Sequence, residues 1–260
     1  MKKLIVILIV INLLYVKTHI YADQPEVSNN SNNYLIDGQE LTFKIRYGLI
    51  CCVMGKLLTS STDHTFAGKP AMRIEFQAFT TNLVNVFTKI NNYYQSYVDK
   101  TTLTPYYFSE SVQENSFHRS RYTIFDRINN EAITDNATYK INDDTFDFLS
   151  LFFFVKSLDF NSYNPNSIVK DLQYVYYNEH DPSDIQILYL GKETIDSEFH
   201  GKIECFKISP IMSKETTFTD KAKTLVWISN DSKRLPIKIQ TAISWGVVNV
   251  DLVDAKNVNQ

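Results

Sequence analysis

Apolar and polar residues alternate along most of this chain. Leu41, Phe43, Ile45 and Tyr47 interleave with Thr42, Lys44 and Arg46. That period of two marks a strand with one buried face. Asp37-Gly38 turns the chain into it, and Gly48 interrupts it as a bulge or turn would. Ile50 to Ser60 reads as a second strand. After the turn Gly68-Lys69-Pro70, Met72, Ile74, Phe76 and Ala78 mark a third, and the three form a meander of neighbours. Thr81 to Lys89 fits either a short helix or an irregular strand. Further strands are expected at Tyr93–Asp99, Tyr107–Val112, Arg119–Asp126 and Ala132–Tyr139, with turns near Glu114-Asn115 and Asn129-Asn130. A loop over Asn161–Ser167 precedes strands at Gln173–Tyr177, Ile185–Ile195, Lys202–Ile208, Thr224–Ser229, Leu235–Thr241 and Val247–Val253. His180-Asp181-Pro182 turns the chain between the first two of these.

One stretch breaks the alternation. From residue 145 to 158 the sequence reads as a helix, with Asp144 as its N-cap, Asp147 three residues on and Lys156 in the last turn to complement the macrodipole. Phe146, Leu149 and Phe153 lie on one side, Leu151, Phe152 and Val155 on others. A helix apolar nearly all round must be covered on most sides. Its length falls short of the ~20 residues that span a bilayer. The expected architecture is therefore all-β: a strongly curved antiparallel sheet, half-barrel or sandwich, holding one buried aromatic helix near residues 145–158.

Residues 1–22 read as a secretory signal peptide: Lys2 and Lys3, an apolar run from Leu4 to Val16, and Ile20-Tyr21-Ala22 before a cleavage point. Whether that segment is removed stays open. Residues 23–37, polar and rich in Asn and Ser, read as a disordered leader, and residues 38–255 as a single β-rich domain. The location this implies is periplasmic or secreted. Of 26 Lys and Arg, three lie in the leader peptide, leaving 23 against 29 Asp and Glu, a net of −6. That balance argues against nucleic acid as a partner. Tyr and Phe together number 33 against 7 Gly, which suits a sheet with a bulky interior.

Three cysteines follow the leader, Cys51, Cys52 and Cys205. Adjacent residues on a strand point to opposite faces, so at most one of Cys51 and Cys52 meets Cys205. One disulfide or three free thiols are both compatible with that count. No Cys/His spacing marks a metal site, and no framed nucleophile or metalloprotease signature occurs. No cofactor, no metal and no catalytic residue is expected, and the chain is read as a non-enzyme.

Leu225 to Ile239 is a hairpin, with Asn230-Asp231-Ser232 carrying the turn. Asp231 is expected to bond backbone N–H groups within that turn. Trp227, Ser229, Asp231, Arg234, Pro236 and, further on, Gly246 resemble the C-terminal signature of the bacterial domain-of-unknown-function 3108 family. Its N-terminal signature is similar to Gly38, Glu40, Leu41, Phe43, Ile45, Tyr47 and Gly48. Asp147 to Leu158 resembles its mid-chain aromatic helix, and Gly201, Ile203, Cys205, Lys207, Ile208 and Pro210 a fourth motif. The resemblance covers about residues 38–254, with the motifs in order. Cys51-Cys52 departs from it, standing where small or polar residues are usual. The resemblance implies an exported, mostly β-sheet envelope protein and supplies neither ligand nor catalytic residue.

The functional expectation is non-catalytic binding of a lipid or another apolar or amphipathic envelope molecule, because a curved aromatic sheet around an apolar helix resembles a container. Phe148, Phe152, Trp227 and Arg234 are the candidate ligand-binding residues. A structural or assembly role beside an envelope protein partner is the alternative. A glycan-active enzyme using Glu75 with Asp99, or Glu110 with Glu114, is the third reading.

Overall fold

A computed structural model of the chain describes residues 35–48, 50–66, 68–81, 88–175, 182–212, 224–243 and 246–258. The expected signal peptide, nearly all of the leader, the ambiguous segment at 82–87 and the His180-Asp181 turn lie outside the described residues. In chain order the strands are β1 (Glu40–Tyr47), β2 (Ile50–Phe66), β3 (Lys69–Phe79), β4 (Asn91–Asp99), β5 (Pro105–Glu114), β6 (Phe117–Asp126), β7 (Glu131–Thr134), β8 (Thr138–Lys140) and β9 (Thr145–Phe146). The helix α1 (Phe148–Ser157) follows. Then come β10 (Ser167–Tyr174), β11 (Ser183–Ser197), β12 (Gly201–Met212), β13 (Thr224–Ser229), β14 (Pro236–Ile243) and β15 (Gly246–Lys256).

All fifteen strands join one large, open, curved sheet in the order β8-β7-β6-β5-β4-β3-β2-β1-β15-β14-β13-β12-β11-β10-β9. Two meanders thus lie back to back. The first steps away from β1 strand by strand; the second returns and closes on it, β15 pairing antiparallel with β1. Among the described residues only β9 with β10 is parallel.

Side-chain alternation gives the sheet its two faces. One cross-strand row runs Val53, Ile45, Val250, Ile239, Val226, Ile208, all apolar. The adjacent row runs Lys44, Asp251, Lys238, Trp227, Lys207 and points the other way. The apolar face is the concave one, and α1 lies against it. Leu149 and Phe153 enter a core with Leu41, Phe43, Ile74 and Tyr94, while Val155 and Leu158 enter a second with Ile187, Phe206, Ile208 and Ile228. The helix is thereby held between the two meanders, as its all-round apolar character requires.

The helix starts later than its sequence suggests. Its N-cap is Asp147, not Asp144, and Thr145-Phe146 instead forms the short strand β9 beside Gln173 and Tyr174. Asp147 accepts from the amides of Leu149 (2.7 Å) and Ser150 (3.1 Å), and Ser150 Oγ accepts from the Asp147 amide. This is a reciprocal cap. Asp144 pairs with Lys170 at 2.8 Å. Other boundaries differ too. The run Ala132–Tyr139 splits into β7 and β8, because Thr134 Oγ1 accepts from the amides of Asn136 and Ala137 and turns the chain there. The loop expected at 161–167 yields to a 3-10 turn at Phe160–Ser162, and β10 begins at Ser167, six residues before the expected Gln173.

Side chains lace the β8–β9 connection to both ends of the sheet. Arg127, in the β6–β7 turn, donates from its guanidinium to the carbonyls of Pro105 (3.1 Å), Asn142 (3.2 Å) and Thr145 (2.6 Å). Gln173 Oε1 accepts from Thr145 Oγ1 (2.6 Å) and from the Asn142 amide (3.1 Å).

Candidate functional site

The cap at Asp147 fixes which way the helix presents its side chains. Asp147 is itself fully buried and receives a third bond from Ser96 Oγ of β4 at 2.7 Å, which ties the start of α1 to the concave face. Burial raises its carboxyl above the usual range despite these donors. From there, Phe148, Phe152 and Lys156 fall at i, i+4 and i+8, one stripe along one side of the helix.

Phe148 stands edge-on to Phe76 of β3 (6.4 Å) and Tyr94 of β4 (5.9 Å). Phe152 packs edge-to-face on Phe153 at 5.7 Å. Phe76, Phe108, Phe148 and Phe152 all pack against the core yet stay only partly buried, so part of each ring's surface remains accessible. At the far end of the stripe Lys156 is fully buried. Its ammonium lies 4.6 Å from the Phe153 ring centre and 5.9 Å from that of Phe152. Among the described residues Nζ has no hydrogen-bond partner. Burial alone pulls its pKa down to about 7. In the sequence Lys156 reads as a complement to the helix dipole. The available signal was its place on the Phe148–Phe152 stripe of a helix with no polar side to escape to.

Beyond the helix start the concave face turns polar. Glu110 pairs with Arg119 at 2.9 Å, both nearly buried, and burial lifts the Glu110 carboxyl. Glu114 accepts from Asn92 at 2.9 Å. Glu110 and Glu114 point the same way four residues apart on β5, a separation of about 13 Å at strand rise. On the opposite face, Glu75 receives the Tyr93 hydroxyl and pairs with Arg73. Asp99 accepts from Tyr106 Oη (2.7 Å) and from the amides of Thr101 and Thr102. In the β3–β4 ladder, Ala71 opposes Asp99 and Gln95 opposes Glu75, so these two carboxylates also stand four positions apart. Neither pair faces itself at the ~5–9.5 Å of a glycosidase.

The four candidate ligand residues are not brought to one place. Phe148 and Phe152 share the inner stripe. Trp227 points to the opposite face, where the outer end of the β11–β12 hairpin folds over it. Trp227 Nε1 donates to Glu193 (3.3 Å), Lys207 pairs with Glu193 (2.7 Å), and the Lys207 and Lys238 ammoniums flank the indole at 5.3 and 5.7 Å. At the hairpin tip Glu198 pairs with Lys44 (2.6 Å) and Arg46 (3.1 Å) of β1, four strands away from β12 in the sheet. Arg234 follows the β13–β14 turn in a left-handed conformation, φ 48°. Its guanidinium lies 4.3 Å over the Phe206 ring. Asp231 Oδ1 gathers the Ser229 hydroxyl (2.7 Å) and the amides of Lys233 (3.0 Å) and Arg234 (3.1 Å). The shared Ser229-Asp231-Arg234 signature therefore builds a turn. Cys205 carries a free, buried thiol, pushed up to about 12 by burial. The side chains of Cys51 and Cys52 lie outside the described ones. Among the described residues no group of His, Cys, Asp or Glu side chains is placed to hold a metal ion.

The fold places the molecule among β-barrel-like proteins built from one strongly curved meandering sheet. It is similar to a β-barrel-like protein of domain-of-unknown-function 1849 from Brucella abortus, at TM-score 0.57 and 5% identity, over 85% of this chain and 98% of that one. The chain belongs to the family of proteins of unknown function DUF3108, whose sequence profile matches residues 42–253. Weaker likenesses reach a candidate lipoprotein from Parabacteroides distasonis (TM-score 0.37, 9% identity, 85% and 96% of the two chains). Another is to a candidate exported protein with a YmcC-like fold from Bacteroides fragilis (0.36, 10%, 85% and 96%). No curated protein matches the sequence.

Proposed function

We propose that this is an exported cell-envelope protein, periplasmic or secreted, that binds a lipid or other apolar or amphipathic molecule without transforming it. The observation that carries this reading is the accessible aromatic surface: Phe76, Phe108, Phe148 and Phe152 are each incompletely covered although they pack against the core. Apolar surface of that kind, recessed in a curved sheet, is where a hydrophobic ligand gains burial energy, about 25 cal/mol per Å². The leader peptide expected at residues 1–22 supports the location.

Native mass spectrometry of the full chain, purified from an envelope fraction without detergent, tests the proposal. A lipid mass retained by the wild type and lost on Phe148→Asp or Phe152→Asp supports it. A ligand-free wild type that takes up no fluorescent fatty acid overturns it. A second reading, an assembly role beside an envelope protein, draws on Tyr122, Ile124 and Ile128, large apolar side chains exposed on β6 and the turn after it. Stable capture of one envelope protein by ligand-free material, lost on Ile124→Lys, is its expected sign.

A further inference from the structure

The stripe Phe148–Phe152–Lys156 has a chemical direction. Two partly accessible aromatic rings lead, over about 12 Å of helix at 1.5 Å per residue, to one ammonium. That ammonium is fully buried, lacks a hydrogen-bond partner among the described residues and rests on the Phe153 ring. A cation in such a setting is costly unless something completes it. The cation–π contact with Phe153 offsets only part of that cost. No neighbouring charge of either sign contributes to its shift, which has burial as its sole cause.

We infer that Lys156 receives the headgroup of a monoanionic amphiphile, a long-chain carboxylate, whose tail lies along Phe152 and Phe148. The inference rests on the apolar-binding proposal above and specifies its ligand. A lone ammonium offers one positive charge and three N–H donors, which matches a carboxylate. A phosphate dianion would bring a second negative charge into the same low-dielectric site with no described cation to meet it. Displacing no existing ion pair, the carboxylate forms a charge-assisted bond at a group that otherwise has none.

Oleate and oleyl alcohol, equal in tail and different in headgroup, separate the two ideas when titrated into the full chain. The expected result is oleate binding at least tenfold tighter than oleyl alcohol. Lys156→Met should erase that preference. A second measurement needs no variant: with lysine labelled at Cε and Nζ, the resonance of the buried Lys156 moves on adding oleate and stays put on adding oleyl alcohol. Equal affinity for the two probes, or an unmoved Lys156 resonance under saturating oleate, overturns the headgroup assignment and leaves apolar binding standing. Failure of both probes to bind removes the two proposals together.

Discussion

Lys156 is a fully buried ammonium with no hydrogen-bond partner among the described residues. An uncompensated ammonium in the core lowers stability, and linkage makes the loss depend on pH. Its ordinary pKa is 10.5, and in the folded chain it is about 7. Between those values the unfolded chain holds a proton that the folded chain releases, so this group makes stability rise with pH across that window. Below it both states are protonated and the full penalty applies; above it the penalty is gone. Lys156→Met, close in length and apolar, should therefore be the more stable protein at pH 6. Its advantage should shrink as pH rises from 7 to 9, at up to about 1.4 kcal/mol per pH unit. The raised Cys205 thiol, at about 12, works in the opposite direction above its ordinary value of 9.0 but is common to both proteins and cancels in the difference. Urea melts of the pair at pH 6, 7.5 and 9 read the effect, and a constant gap would mean that Lys156 is solvated.

At the level of elements, the link between the two ends of the sheet hangs on Arg127. Three of its N–H groups meet three backbone carbonyls from β5, the β8–β9 connection and β9. Arg127→Met keeps most of the stem and removes the donors. The expected cost is about 2 kcal/mol, within the range for lost charge-assisted hydrogen bonds that are partly buried. Hydrogen exchange should quicken at Val175, whose amide bonds Phe146 of β9, and not at Ile45 in the sheet's middle. Loss of less than 0.5 kcal/mol by the usual surface standard would assign the link to packing alone.

The alternation of Leu41, Phe43 and Ile45 made β1 legible from sequence, and the turn chemistry of Asp231 did the same for the β13–β14 hairpin. The helix was legible as an element but not at its first residue. Asp144 and Asp147 are both good caps, and the choice between them is made by Gln173 and Tyr174, which draw Thr145-Phe146 into a strand. Trp227 shows the same limit: alternation sets it opposite Val226, but only the long β11–β12 hairpin settles that it is covered. Long-range partners of this kind leave no local period to read.

For the molecule as a whole, the decisive contact joins the first and last strands. β1 and β15 are neighbours from Glu40 opposite Lys256 to Tyr47 opposite Val248, and no other ladder connects the two meanders at the centre of the sheet among the described residues. Gly246 opens β15 at φ 153°, and a Cβ there would come within 2.9 Å of the Tyr47 ring, so two residues of the family signature meet where the first and last strands meet. Closing so long a loop is slow and entropically costly, and the contacts that reward it form late. Deleting residues 246–260 should therefore do more than fray an edge. It exposes facing edges on β1 and β14, uncovers Phe43 and Ile45, and separates the halves between which α1 is held. The expected product keeps strand-like far-UV dichroism, binds a hydrophobic dye, and melts without the single cooperative transition of the full chain. A shortened chain that still unfolds in one sharp step would show instead that the helix, clamped by Leu149 and Phe153 on one side and Val155 on the other, is enough to hold the two meanders as a unit.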